Sequence, residues 1–65
     1  MKDYQKRVVQ EGEELSEKMQ ALGRFILTEK FDELEEYDQD LLKRQLRHMI
    51  MYLNVLTKRI GRFKK

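Results

Sequence analysis

Sixty-five residues with no cysteine bound this chain to one small domain without disulfide staples or thiolate metal sites. Fourteen basic residues against twelve acidic ones leave a net charge of +2, too balanced to declare a nucleic-acid binder, so nucleic acid is not the expected partner. A single core of this size supplies only about 3–5 kcal/mol, which leaves self-association as the common remaining source of stability.

His48 is the only histidine, so a metal site would rest on carboxylates that read as solvated, and the expectation is no metal and no cofactor. A lone histidine inside an apolar run reads as a packed or interfacial ring, not as a general base. The phosphate-binding glycine loop, the dinucleotide fingerprint, HExxH and the nucleophile elbow are all missing from the sequence, and the chain does not read as an enzyme. No apolar run approaches the roughly 18 residues that span a bilayer, and the N-terminus lacks the apolar centre of a secretory signal. The expected location is the cytosol, with no membrane partner.

In chain order, the first predicted element is a helix over residues 3–27. Val8, Leu15, Met19, Leu22 and Ile26 share one face, with Tyr4 and Phe25 along its edge. Gly12 occupies a seam position, where it signals a bend or the close approach of another backbone, and Gly23 raises the same options beside that of a tolerated surface glycine. Next comes "TEKFDELEEYDQD", a compact connection in which Thr28 caps a short turn and Phe31 and Leu34 fold back on the helices. The acidic residues from Glu35 to Asp40 suit the positive start of a following helix.

The second long helix is predicted over residues 36–61. Leu42, Leu46, Met49, Leu53, Leu56, Ile60 and Phe63 recur at alternating spacings of four and three, a sustained heptad seam. Gly61 reads as its C-cap. Within it "HMIMYLNVL" places seven apolar or aromatic side chains in nine positions, more than one partner helix can cover. His48, Met51, Tyr52 and Val55 form a second strip beside the seam and are the expected oligomer interface. The fold class expected is all-α: an antiparallel hairpin of two long helices, one domain over residues 1–65, assembling into an oligomeric helical bundle.

Such a hairpin gathers charge at its ends. Lys2, Lys6 and Arg7 fall beside Lys58, Arg59, Arg62, Lys64 and Lys65, while Glu29, Asp32, Glu33, Glu35, Glu36, Asp38 and Asp40 crowd the opposite tip. Helix dipoles by themselves favour this arrangement. The same residues also suit a phosphate ligand: Tyr4 stacks a base, Arg7, Arg59 and Arg62 grip phosphates, and Lys2 and Lys58 support them. A second basic group, Lys43, Arg44 and Arg47 near Arg24, reads as solvated.

The pattern "DYQKRVVQEGEELSEKMQALGRFI", then "EKFDEL", then "DQDLLKRQLRHMIMYLNVLTKRI" resembles a group of very short bacteriophage proteins over residues 3–60. Those proteins are similar in turn to the hairpin domain of phage nucleotide sponges, the anti-CBASS and anti-Thoeris proteins, through "LGRFI" and "RQLRHMIMYL". The resemblance implies a homo-oligomer that captures a cyclic nucleotide or a cyclic ADP-ribose-type immune signal stoichiometrically, at pockets between subunits and without cleavage. The sponge domains carry a Pro-Arg-Trp-like start to the second helix, where this chain has "EEYDQDLL", so binding residues from that place do not carry over. Tyr4 with its neighbouring bases, and the segment from Arg24 to Thr28, are what transfers. The rival reading is a coiled-coil interaction module that docks a host or phage protein through helix two.

Overall fold

The computed structural model describes residues 1–63; Lys64 and Lys65, assigned above to the basic end, lie outside the described residues. The chain folds as α1 (Asp3–Ile26), α2 (Glu29–Asp32) and α3 (Glu36–Gly61). The all-α expectation holds, and both long helices end within one residue of their predicted bounds. They pack lengthwise into a rod of 48 × 14 × 14 Å.

Each terminus has a local cause. At the start of α1 the Lys2 amide donates to Gln5 Oε1 at 3.0 Å, one half of a capping box, and Asp3 complements the helix dipole. The helix stops at Ile26, one residue early, where Thr28 intervenes. Its hydroxyl donates to the Phe25 carbonyl at 2.6 Å and accepts the Phe31 amide at 3.3 Å, closing α1 and capping α2 with one side chain. Gln39 then reaches back from the first turns of α3. Its Nε2 lies 3.0, 3.3 and 3.1 Å from the carbonyls of Phe31, Asp32 and Leu34 at the end of α2, the first of which also accepts the Leu34 amide at 3.1 Å.

The heptad seam of α3 faces α1 as read: Leu56 is 0% exposed and Leu42, Leu46, Met49, Leu53, Ile60 and Phe63 are half-buried. Val8 is buried opposite, and Phe31, 4% exposed, closes the turn end with its ring edge-on to Phe25 at 6.2 Å. At Gly12 the near neighbour is a side chain and not the backbone expected: a Cβ there would meet Ile60 Cδ1 at 3.4 Å, an ordinary van der Waals contact. Gly23 has nothing within 4 Å of such a Cβ and is a tolerated glycine.

Two expectations need correction. Gly61 is the last residue of α3 and not its C-cap, and no described glycine takes a positive φ. The cap is Arg62, in right-handed conformation, whose amide donates to the Arg59 carbonyl at 3.1 Å. The helix tightens at its end because i→i+3 bonds satisfy the last carbonyls without a left-handed residue. Lys43 is not merely solvated either: its Nζ sits 5.8 Å from the centre of the Phe31 ring, a cation–π contact across the turn.

Candidate functional site

Antiparallel packing brings the first turn of α1 against the last turn of α3, and with it two aromatic rings. Tyr4 and Phe63 meet edge to face, centroids 5.9 Å apart and planes at 80°. Tyr4 is half exposed, which leaves part of its ring accessible to solvent. Lys2 and Arg62 are the capping residues of the two helices at this end. Arg7, Lys58 and Arg59 are exposed on the adjoining turns. All six residues assigned to ligand binding thus fall within the last two turns or so of one end of the rod, five exposed cations around an aromatic pair that contains the sixth, Tyr4. The opposite tip is acidic and exposed, with Asp40 paired to Arg44 at 2.9 Å on the same helix face.

The second strip of α3 is uncovered. Met51 is 59% exposed, Val55 53% and Tyr52 46%, and His48 is exposed beside them. Tyr52 has a partner within the chain, however: its hydroxyl donates to the Glu11 carboxylate, a hydrogen bond that ties α3 to α1. The pKa of the phenol lies above its usual value, first because ionisation would abolish this hydrogen bond, then through desolvation and the repulsion of a second negative charge by Glu11, with Arg59 opposing the shift in part.

The hairpin also carries a groove of about 780 Å³ along the α1–α3 junction. Val9, Leu53, Ile60 and the backbone of Gly12 supply its apolar lining, and Glu13, Glu14 and Glu17 its carboxylates. Gly12 contributes no side chain to it, and a Cβ there would meet Ile60 Cδ1, another lining residue, at 3.4 Å. Its charge disfavours a phosphate ligand, so this groove and the cationic end are different places. A smaller concavity of about 550 Å³ lies among Glu36, Tyr37, Gln39, Asp40 and Lys43 at the acidic tip.

Sequence reading missed Gln39, Glu11 and the acid-lined groove. Gln39 sits between acidic residues with no periodic signal to single it out. Glu11 meets a partner 41 positions away, invisible until the helix register is known. Gly12 was a usable signal for the groove, since a missing side chain in a seam leaves either a bend or a gap.

Among the described residues no group of three or more histidine, aspartate or glutamate side chains is placed to hold a metal ion, and no helix is long and apolar enough to cross a membrane. No solved structure matches the chain. It is 39% identical over 61 residues to an uncharacterized 7.5 kDa protein from the denB–rIIB intergenic region of Enterobacteria phage T4, covering 94% of this chain and 95% of that protein. The sequence pattern of the Sequestin family matches residues 2–62. The chain therefore belongs to the Sequestin family, phage anti-defence sponges that bind and do not catalyse.

Proposed function

We propose that this protein captures a small anionic nucleotide signal, of the cyclic nucleotide or cyclic ADP-ribose type, by stoichiometric binding in the host cytosol. The observation that carries the reading is the Tyr4–Phe63 ring pair standing among the cations of one end of the rod. A nucleotide needs a flat apolar face for its base and fixed cations for its phosphates. Tyr4 stacks the base, Arg7, Arg59 and Arg62 hold phosphate, and Lys2 and Lys58 add charge. On one hairpin this end is open, and a shallow surface holds a small ligand poorly. Ends brought together from two or more copies, joined through the strip of His48, Met51, Tyr52 and Val55, make a walled pocket between subunits. No metal, cofactor or bond cleavage takes part.

Isothermal titration against cyclic dinucleotides, cyclic trinucleotides and cyclic ADP-ribose isomers tests this. Binding to at least one, lost in Tyr4→Ala and in Arg62→Glu, is expected. Silence across that panel at micromolar protein sinks the reading.

The exposed Met51 and Val55 also favour a second reading, an interaction module that receives a host or phage protein on α3. Light scattering on a sizing column separates the two, since a sponge is assembled by itself and the module stays solitary until its partner arrives.

A further inference from the structure

The two unpartnered surfaces of the hairpin are complementary. The outer face of α3 is apolar at Met51 and Val55 and basic at Arg47 and Lys58, all exposed. The α1–α3 groove is apolar at Val9, Leu53 and Ile60 and acidic at Glu13, Glu14 and Glu17. At 3.6 residues per turn, Leu53 and Thr57 turn to one side of the α3 seam while Tyr52 and Val55 turn to the other, so the surfaces lie on different flanks and one copy cannot join its own. Their lengths also agree: at 1.5 Å per residue, positions 9 to 17 run about 12 Å along α1 and positions 48 to 55 roughly 10 Å along α3.

We infer that the acid-lined groove is the acceptor for a second copy of this chain, which lays the outer face of its α3 into it. Met51 and Val55 cover the apolar lining, and Arg47 and Lys58 meet the carboxylates of Glu13, Glu14 and Glu17. The contact is heterologous, each copy offering one face and receiving another, so it propagates into a ring where the rotation closes. The inference rests on the self-association in the sponge reading, shares Lys58 with its ligand site, and is tested without ligand. It assigns the groove a role that an anionic ligand cannot take, and it explains why carboxylates are gathered on α1 far from the acidic tip.

The test is a charge swap on the full chain, read as mass by light scattering without any nucleotide. The unaltered chain is expected at a multiple of 8.0 kDa. Glu13→Lys with Glu17→Lys, and separately Arg47→Glu with Lys58→Glu, are each expected to run as single hairpins at the same concentration, with helical circular dichroism retained. An equal mixture of the two is expected to reassemble, because each altered groove then meets an altered face of opposite charge. Should a reversed variant lose its helicity, Glu13→Gln with Glu17→Gln replaces it and is expected to weaken association by roughly tenfold or more. Assembly that ignores the groove substitutions, a mixture that stays dissociated, or an unaltered chain of 8.0 kDa overturns the inference. The first of these outcomes leaves the sponge reading standing, whereas failed titration alongside a successful swap removes the ligand and keeps the interface.

Discussion

The Tyr52 hydroxyl donates to the Glu11 carboxylate across the hairpin, the one side-chain hydrogen bond recorded between α1 and α3 among the described residues. It places a phenol that is still half exposed under the control of a residue on the other helix. The exposed strip of α3 is thereby fixed to the hairpin's own register.

The bond makes stability depend on alkaline pH. Folding raises the Tyr52 pKa above 10.0, mainly through the hydrogen bond to Glu11, so the folded state holds the phenolic proton more tightly than the unfolded one. Its contribution is complete below the unfolded pKa and disappears as pH climbs through the raised folded value. Denaturant unfolding from pH 8 to 11.5 should therefore show a steeper alkaline loss in the unaltered chain than in Tyr52→Phe. Parallel profiles would refute the linkage.

Gln39 holds the turn to the second long helix by donating toward three carbonyls. Gln39→Ala leaves those acceptors to water and should cost about 1–2 kcal/mol, with Gln39→Glu at least as damaging because a carboxylate faces carbonyl oxygens. Urea unfolding followed by circular dichroism reads the difference, and a midpoint unchanged in both variants would show that the latch contributes nothing.

Gly12 and Gly23 should respond in opposite ways to a large side chain. Alanine at either gains roughly 0.5–1 kcal/mol of helix propensity, since a Cβ at position 12 meets only the flexible end of Ile60 at 3.4 Å and one at position 23 meets nothing. Leucine is accepted at 23 but fills the groove and displaces Ile60 at 12. Thermal melts of the four variants test this, with Gly12→Leu melting below the unaltered chain and the other three at or above it.

Leu56 is the fully buried side chain of the seam. Leu56→Ala should cost about 2–5 kcal/mol, comparable to everything a core this small provides. The variant is expected to lose its helical signal at low micromolar concentration and to regain some of it as concentration rises, if copies support each other. A variant that melts as the unaltered chain does would mean that Leu56 is not central to the core.

Much of this fold was legible beforehand because heptad spacing and helix caps are local. Seven positions at spacings of four and three can face a partner only as one helical stripe, and Thr28 caps its neighbour whatever the distant chain does. The cluster at the basic end followed from antiparallel topology alone, which brings Tyr4 to Phe63. The absence of cysteine excluded thiolate chemistry before any coordinate. The rest depended on register. Whether Gly12 bent its helix or admitted Ile60, which glutamate met Tyr52, and where a hollow opened between the helices are set by sub-turn rotations of one helix against the other. Residues far apart in sequence acquire neighbours only when that rotation is chosen, and no local pattern encodes it; packing of whole side chains, summed along the seam, makes the choice.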